Sequence, residues 1–240
     1  WKVPARDVAI AHIDIDPMVI SCNYATSVGI PADARLALEA LHGELVRAGR
    51  SRPQGAVDGQ TLVARAKAGK RAAFAALAGS TEQPIRPERA VAALNAVLPE
   101  DAIVVADPGA PCPYLSAHYE LRRPGRHFIT NRAHGALGYS MSAAVGAWFG
   151  RPEAKVVAVM GDGSFGFTVG ELETITRHMV PLTMVVLSNA VFGWIKASQK
   201  VGYGQRYFSV DFSRTDHAAV AEAYGVRAWR VSEQIGRAHV

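Results

Sequence analysis

The 240-residue sequence predicts an α/β fold, a parallel sheet flanked by helices and preceded by part of a second α/β unit. Two unbroken apolar runs carry this reading: Val156, Val157, Ala158, Val159 and Met160, then Leu182, Thr183, Met184, Val185, Val186 and Leu187. Runs of this kind suit parallel strands covered on both faces. Between them lies helical punctuation across residues 165–179, with Glu171 and Glu173 early, Arg177 and His178 late, and Pro181 as a stop.

The remaining elements follow in order. Residues 8–17 read as a strand closed by Asp14, Asp16 and Pro17, and residues 33–41 as an amphipathic helix capped by Asp33. Residues 49–83 turn polar, basic and rich in Gly, Pro and Ser, with an alanine-rich helical stretch at 62–77, and read as a connector. A domain then opens at Pro84, with a helix over 88–98 and a strand over 102–106 that ends in Asp107, Pro108 and Gly109. The predicted divisions are 1–48, 49–83, 84–233 and a tail at 234–240.

Composition narrows the function. Hydrophobic residues make up 49% of the chain and mean hydropathy is +0.07, with no charge-free apolar run long enough for a spanning helix. The net charge of +5 and pI near 9.4 raise nucleic acid as a partner, but outside 47–52 and 65–71 the basic residues are scattered without interleaved aromatics. No nucleic-acid or membrane partner is expected. Cys22 and Cys112 lack metal spacing and read as free thiols, which points to a reducing, cytoplasmic compartment. No G-x-G-x-x-G follows a predicted strand, so a simple dinucleotide-binding domain is disfavoured.

The chemistry lies in Gly161, Asp162, Gly163 and Ser164, placed between the two apolar runs, and in Asn189 just beyond the second. Parallel strands deliver Asp162 and Asn189 to the same sheet edge. Mg²⁺ takes oxygen ligands and is commonly held by one or two side chains plus substrate phosphates; these two, a main-chain carbonyl and a diphosphate would suffice. Glycine at 161 and 163 is expected to make a tight turn that lets the backbone approach an anion.

These residues resemble the metal motif of the thiamine-diphosphate-dependent superfamily that includes acetolactate synthases and 2-oxo acid decarboxylases. The resemblance spans residues 8–231 and implies a thiamine-diphosphate-binding fold after the tail of a Rossmann-like central domain, of which residues 8–17 would be the last strand. It implies Mg²⁺ on Asp162, Asn189 and the carbonyl of Val191; Ser188 stands where the family usually has a further Asn. A second segment, Ile129 through Tyr139, resembles the family's stretch just upstream. There Leu137 would wedge the cofactor into a bent shape, and the Gly135 carbonyl would accept from its aminopyrimidine. Arg132, His134 and Ser142 replace the small residues and the Pro common in the family. A third segment, residues 102–109, resembles the first diphosphate loop; Ala110 and Pro111 replace a Gln-His pair, leaving phosphate contacts to the amides of Gly109, Ala110, Gly163 and Ser164.

Phe192 and Gly193 would cover the cofactor, while His134 and Trp194 would shape the substrate pocket; Lys196 and Lys200 read as a solvated helix face. The resemblance supplies no catalytic residue from this chain, because the activating glutamate belongs to an amino-terminal domain expected before Trp1. It implies decarboxylation or carboligation of a small 2-oxo acid or acyl donor by a homodimer or homotetramer. FAD is not indicated, and Asp14 and Asp16 read as structural caps. Oxalyl-CoA decarboxylase and benzaldehyde lyase are the alternatives inside the superfamily, and a non-catalytic cofactor-fold module is the alternative outside it. Residues 234–240 back-translate to the start of a common sequencing adapter, so the tail is expected to be non-native.

Overall fold

The computed structural model describes residues 7–49, 55 and 58–232, so the tail at 234–240 lies outside the described residues. The chain divides into two compact units, Trp1–Val63 and Ala64–Val240.

In the first unit β1 (Ala11–Asp14) pairs in parallel with β2 (Val28–Pro31), in register from Ala11 opposite Val28 to Asp14 opposite Pro31. The strand over residues 8–17 is therefore not the last of its sheet, a correction: the short apolar run at Val28, Gly29 and Ile30 makes another. Asp14 and Asp16 cap locally, Asp14 Oδ1 accepting from the Asp16 amide and Asp16 Oδ1 from the Met18 amide (2.9 Å each). Asp33 caps α1 (Ala34–Arg47), its Oδ1 accepting from the Leu36 amide at 3.1 Å. Two strands and one helix are too little for a closed core, and no described residue of 7–49 is buried.

The alanine-rich stretch forms α2 (Gly59–Ala78), which runs across the division between the units. Asp58 Oδ2 accepts from the Thr61 amide and hydroxyl at its start. Then follow α3 (Pro87–Val97), β3 (Ile103–Ala106), α4 (Pro111–His118), β4 (Phe128–Ile129) and α5 (Tyr139–Gly150). The chain continues through β5 (Val156–Gly161), α6 (Asp162–Thr168), α7 (Glu171–Arg177), β6 (Thr183–Leu187), α8 (Gly193–Gly202) and α9 (His217–Ala223).

The four strands of the second unit are parallel in the order β4-β3-β5-β6. Alternate side chains of β3 and β5 feed two cores. Ile103, Val105, Val156, Ala158 and Met160 pack with Met141, Phe165, Leu172 and Ile175, while Val104, Ala106, Val157 and Val159 pack with Val91, Cys112 and Leu115. The period-two split explains the unbroken apolar runs: both faces are covered by helices. Each fully buried Val contributes about 1.5–3 kcal/mol.

Three expectations are corrected here. The helix expected over 165–179 is two, broken at Val169 and Gly170. It ends at Arg177, before Pro181, because Met179 turns left-handed (φ +50) and closes a Schellman pair, Met179 N–H to Thr176 O and Val180 N–H to Ile175 O. The run at 182–187 is half-exposed instead of buried, since β6 is the sheet's edge among the described residues. Among those residues no helix is long and apolar enough to cross a membrane.

Candidate functional site

Adjacent registers bring three loops to one sheet edge. Ala106 lies opposite Val159, and Gly161 opposite Leu187, so residues 107–110, 161–164 and 188–193 follow the carboxyl ends of β3, β5 and β6.

Asp162 is the first residue of α6 and only 4% exposed. The expected Gly-Asp-Gly loop is thus the opening turn of a helix, and neither Gly161 nor Gly163 has a positive φ. What Gly163 provides is space, since a Cβ there would lie 2.3 Å from Cε1 of the Phe192 ring. Asp162 Oδ2 accepts from the amides of Asn189 (2.8 Å) and Ala190 (2.6 Å) and from the Ser188 hydroxyl (3.2 Å); Oδ1 accepts from the Gly163 amide (2.9 Å). The two loop amides converge because Ala190 takes φ +55, forming a nest around the carboxylate oxygen. Asn189 stays exposed, and its Oδ1 accepts from the Val191 amide at 3.2 Å.

The loop after β6 is held by a second layer. Val191 bridges Asp211, the Phe192 amide donates to Val210 O at 2.8 Å, and the Phe212 amide to Ala190 O at 3.1 Å. Phe192 stacks on Phe167 and tilts against Phe212. Beside them opens a cavity of about 310 Å³, lined in part by Asp162, Gly163, Val169, Phe212 and His217. Lys196 pairs with Asp211 at 2.6 Å and lies over the Tyr207 ring, so it is engaged and not simply solvated.

On the other side of the edge, a Cβ on Gly109 would lie 3.3 Å from Leu137 Cδ2, so half-buried Leu137 rests over the loop after β3. Gly135 (φ +75) and Gly138 (φ +88) make the turn that presents it, and the Gly135 amide donates to Asn131 O at 2.8 Å. Asn131 Oδ1, buried in this turn, has no partner among the described residues. Arg132 Nη1 donates to Pro108 O at 3.3 Å, tying the two loops together. His134 and Trp194 (53% exposed) lie open on the loop before α5 and the first turn of α8.

The structure therefore gathers Gly109, Asp162, Gly163, Ser164, Asn189, Val191 and Phe192 on three neighbouring strand ends, with Leu137 resting on the first of them from the turn before α5. Sequence reasoning assigned no role to Asp107, 0% exposed at the end of β3. Its Oδ2 accepts from the amides of Gly138 (3.0 Å) and Ser140 (3.2 Å), and its Oδ1 from the Ser164 hydroxyl (2.6 Å). The available signal was the likeness of its setting to that of Asp162: a carboxylate just after an apolar strand, with glycine close behind.

The donor chemistry fits a hard divalent cation. Asp162 Oδ1 and Asn189 Oδ1 each accept one bond and retain a lone pair. Residues 107–239 match the family "Thiamine pyrophosphate enzyme, C-terminal TPP binding domain". The chain belongs to the thiamine pyrophosphate enzymes. Its α/β sheet flanked by helices is the thiamine-pyrophosphate-binding fold expected from the sequence.

Among related thiamine pyrophosphate enzymes, the acetolactate synthase large subunit of Haemophilus influenzae is 31% identical over 217 residues, covering 90% of this chain and 37% of that protein. A probable acetolactate synthase large subunit of Methanocaldococcus jannaschii is 30% identical over 234 residues, covering 95% and 38%. The pyruvate oxidase of Lactiplantibacillus plantarum is 28% identical over 222 residues, covering 92% and 36%. The chain spans less than two fifths of the length of these relatives.

Proposed function

We propose that this chain is the cofactor-binding part of a thiamine-diphosphate- and Mg²⁺-dependent enzyme that decarboxylates a 2-oxo acid and joins the product to a second carbonyl, as in acetolactate synthesis. The observation that carries it is the seating of the Asn189 amide on Asp162 Oδ2 at 2.8 Å, across 27 positions of sequence. Thiamine diphosphate supplies, when bound, a nucleophilic carbon and an electron sink that no protein side chain offers.

The residues present would hold it as follows. Asp162 Oδ1, Asn189 Oδ1 and the Val191 carbonyl are the oxygens for Mg²⁺. The amides of Gly109, Ala110 and Ser164 serve the diphosphate, with less from Gly163, whose amide already donates to Asp162. Leu137, backed by Gly109, would press on the cofactor, and the Gly135 carbonyl would accept from its amine. Phe192 and Gly193 would exclude water from it; His134 and Trp194 would border the substrate. We assign the proton-moving carboxylate to no residue of this chain, and infer a cytoplasmic homodimer or homotetramer in which a neighbouring subunit provides it.

The test is product analysis of the full-length protein with pyruvate, thiamine diphosphate and Mg²⁺, with and without FAD. Acetolactate and CO₂ support the reading. Bound cofactor without pyruvate turnover refutes the substrate and directs the search to oxalyl-CoA and aromatic 2-hydroxyketones. The pyruvate oxidase relative favours a second reading, pyruvate consumption with another acceptor; loss of pyruvate without acetolactate would establish it.

A further inference from the structure

Asp107 joins three segments far apart in sequence: the loop that ends β3, the Gly138–Ser140 turn that opens α5 behind Leu137, and the first turn of α6. Its carboxylate is fully buried, and its three recorded partners are neutral donors, two amides and one hydroxyl. A buried carboxylate needs such donors, and the donors need it, because either side left alone costs several kcal/mol. The same bonds set chemistry at the neighbouring loops. A carboxylate only accepts, so the Ser164 hydroxyl spends its one proton on Asp107 Oδ1 at 2.6 Å. What Ser164 then has for an anion is its main-chain amide; the hydroxyl has only lone pairs left. Gly109 lies within the same cluster, since a Cβ on it would stand 4.0 Å from Ser164 Oγ and 3.3 Å from Leu137 Cδ2.

We infer that Asp107 is a positioning residue for the diphosphate of the cofactor: it sets the Gly109 loop, the Leu137 wedge and the α6 amino terminus in one arrangement, and it disqualifies the Ser164 hydroxyl as a phosphate donor. This rests on the reading of the site given under Proposed function. Removing a carboxylate that orients binding groups typically weakens ligand affinity 10–100-fold.

The test is a double-mutant cycle read by calorimetry with thiamine diphosphate and Mg²⁺, on wild type, Asp107→Asn, Ser164→Ala and the pair, with Kd expressed per folded molecule. Each single substitution is expected to raise Kd about 10–100-fold, and the double to raise it no further than Asp107→Asn alone, since Ser164 acts through Asp107. Multiplicative effects in the double would mean that the Ser164 hydroxyl contacts phosphate directly, and would overturn the inference. So would an unchanged Kd in Asp107→Asn with only a lowered melting temperature, the mark of a purely structural residue. Should Asp107→Asn not fold, Asp107→Glu, which keeps the charge and lengthens the arm, takes its place in the cycle with the same outcomes. A wild type that binds no thiamine diphosphate overturns the site reading itself, a result distinct from all of these.

Discussion

Gly138→Ala isolates the junction between α5 and α6. Gly138 sits at φ +88, a left-handed conformation that costs a residue with Cβ about 1–2 kcal/mol. The new methyl would stand 2.8 Å from Thr168 Cγ2, 3.2 Å from Phe167 Cβ and 3.5 Å from Ser164 O, all on α6. None of these is the loose end of a long side chain, so the helices must part by several tenths of an ångström, an overpacking strain of about 1–3 kcal/mol. Ala also stiffens the unfolded chain, which returns about 0.4–1 kcal/mol. The net loss is about 3 kcal/mol, a large share of the 5–15 kcal/mol that a domain typically has. Urea unfolding followed by far-ultraviolet circular dichroism measures it as a lowered midpoint at unchanged slope. A loss under about 1 kcal/mol would show that α6 gives way freely, and would refute the claim that Gly138 is needed for close approach.

Three further outcomes are expected. Asp162→Asn removes the charge at the sheet edge and should weaken Mg²⁺-dependent thiamine diphosphate binding at least about tenfold by calorimetry; unchanged affinity would falsify the metal assignment. Met179→Gly, at an 84% exposed left-handed position in the Schellman turn after α7, should stabilise by about 1 kcal/mol in the same urea assay, and a destabilisation would contradict the turn. The Asp216 carboxyl is held below its ordinary value of 3.8 by its bond to Arg230 and then by the Ala219 amide that it caps at the start of α9. Its folded pKa is lowered, so its contribution is present above pH 3.8 and fades as pH falls through the lower folded value. Carboxyl NMR should place its midpoint under 3.8, and Arg230→Ala should move it back up.

The sheet edge was legible because strand length converts to position. Two apolar runs of parallel strand put whatever follows them at one level, so Asp162 and Asn189 could be placed together from spacing alone, and the pairing of Gly161 with Leu187 puts them there. Lone pairs do not follow from spacing. Asp107 and Asp162 have nearly the same local setting, and only partners distant in sequence separate them. Asp107 accepts from Gly138, Ser140 and Ser164, whereas Asp162 accepts from Ser188, Asn189 and Ala190 and from its own neighbour, Gly163. Likewise Gly163 reads as a turn glycine in sequence, but its φ is ordinary; the need for it comes from the Phe192 ring, delivered by a loop after another strand. Two carboxylates at the ends of neighbouring strands therefore differ in which segments they join and not in how fully each is hydrogen-bonded: Asp107 ties the loop after β3 to the starts of α5 and α6, and Asp162 ties the start of α6 to the loop after β6.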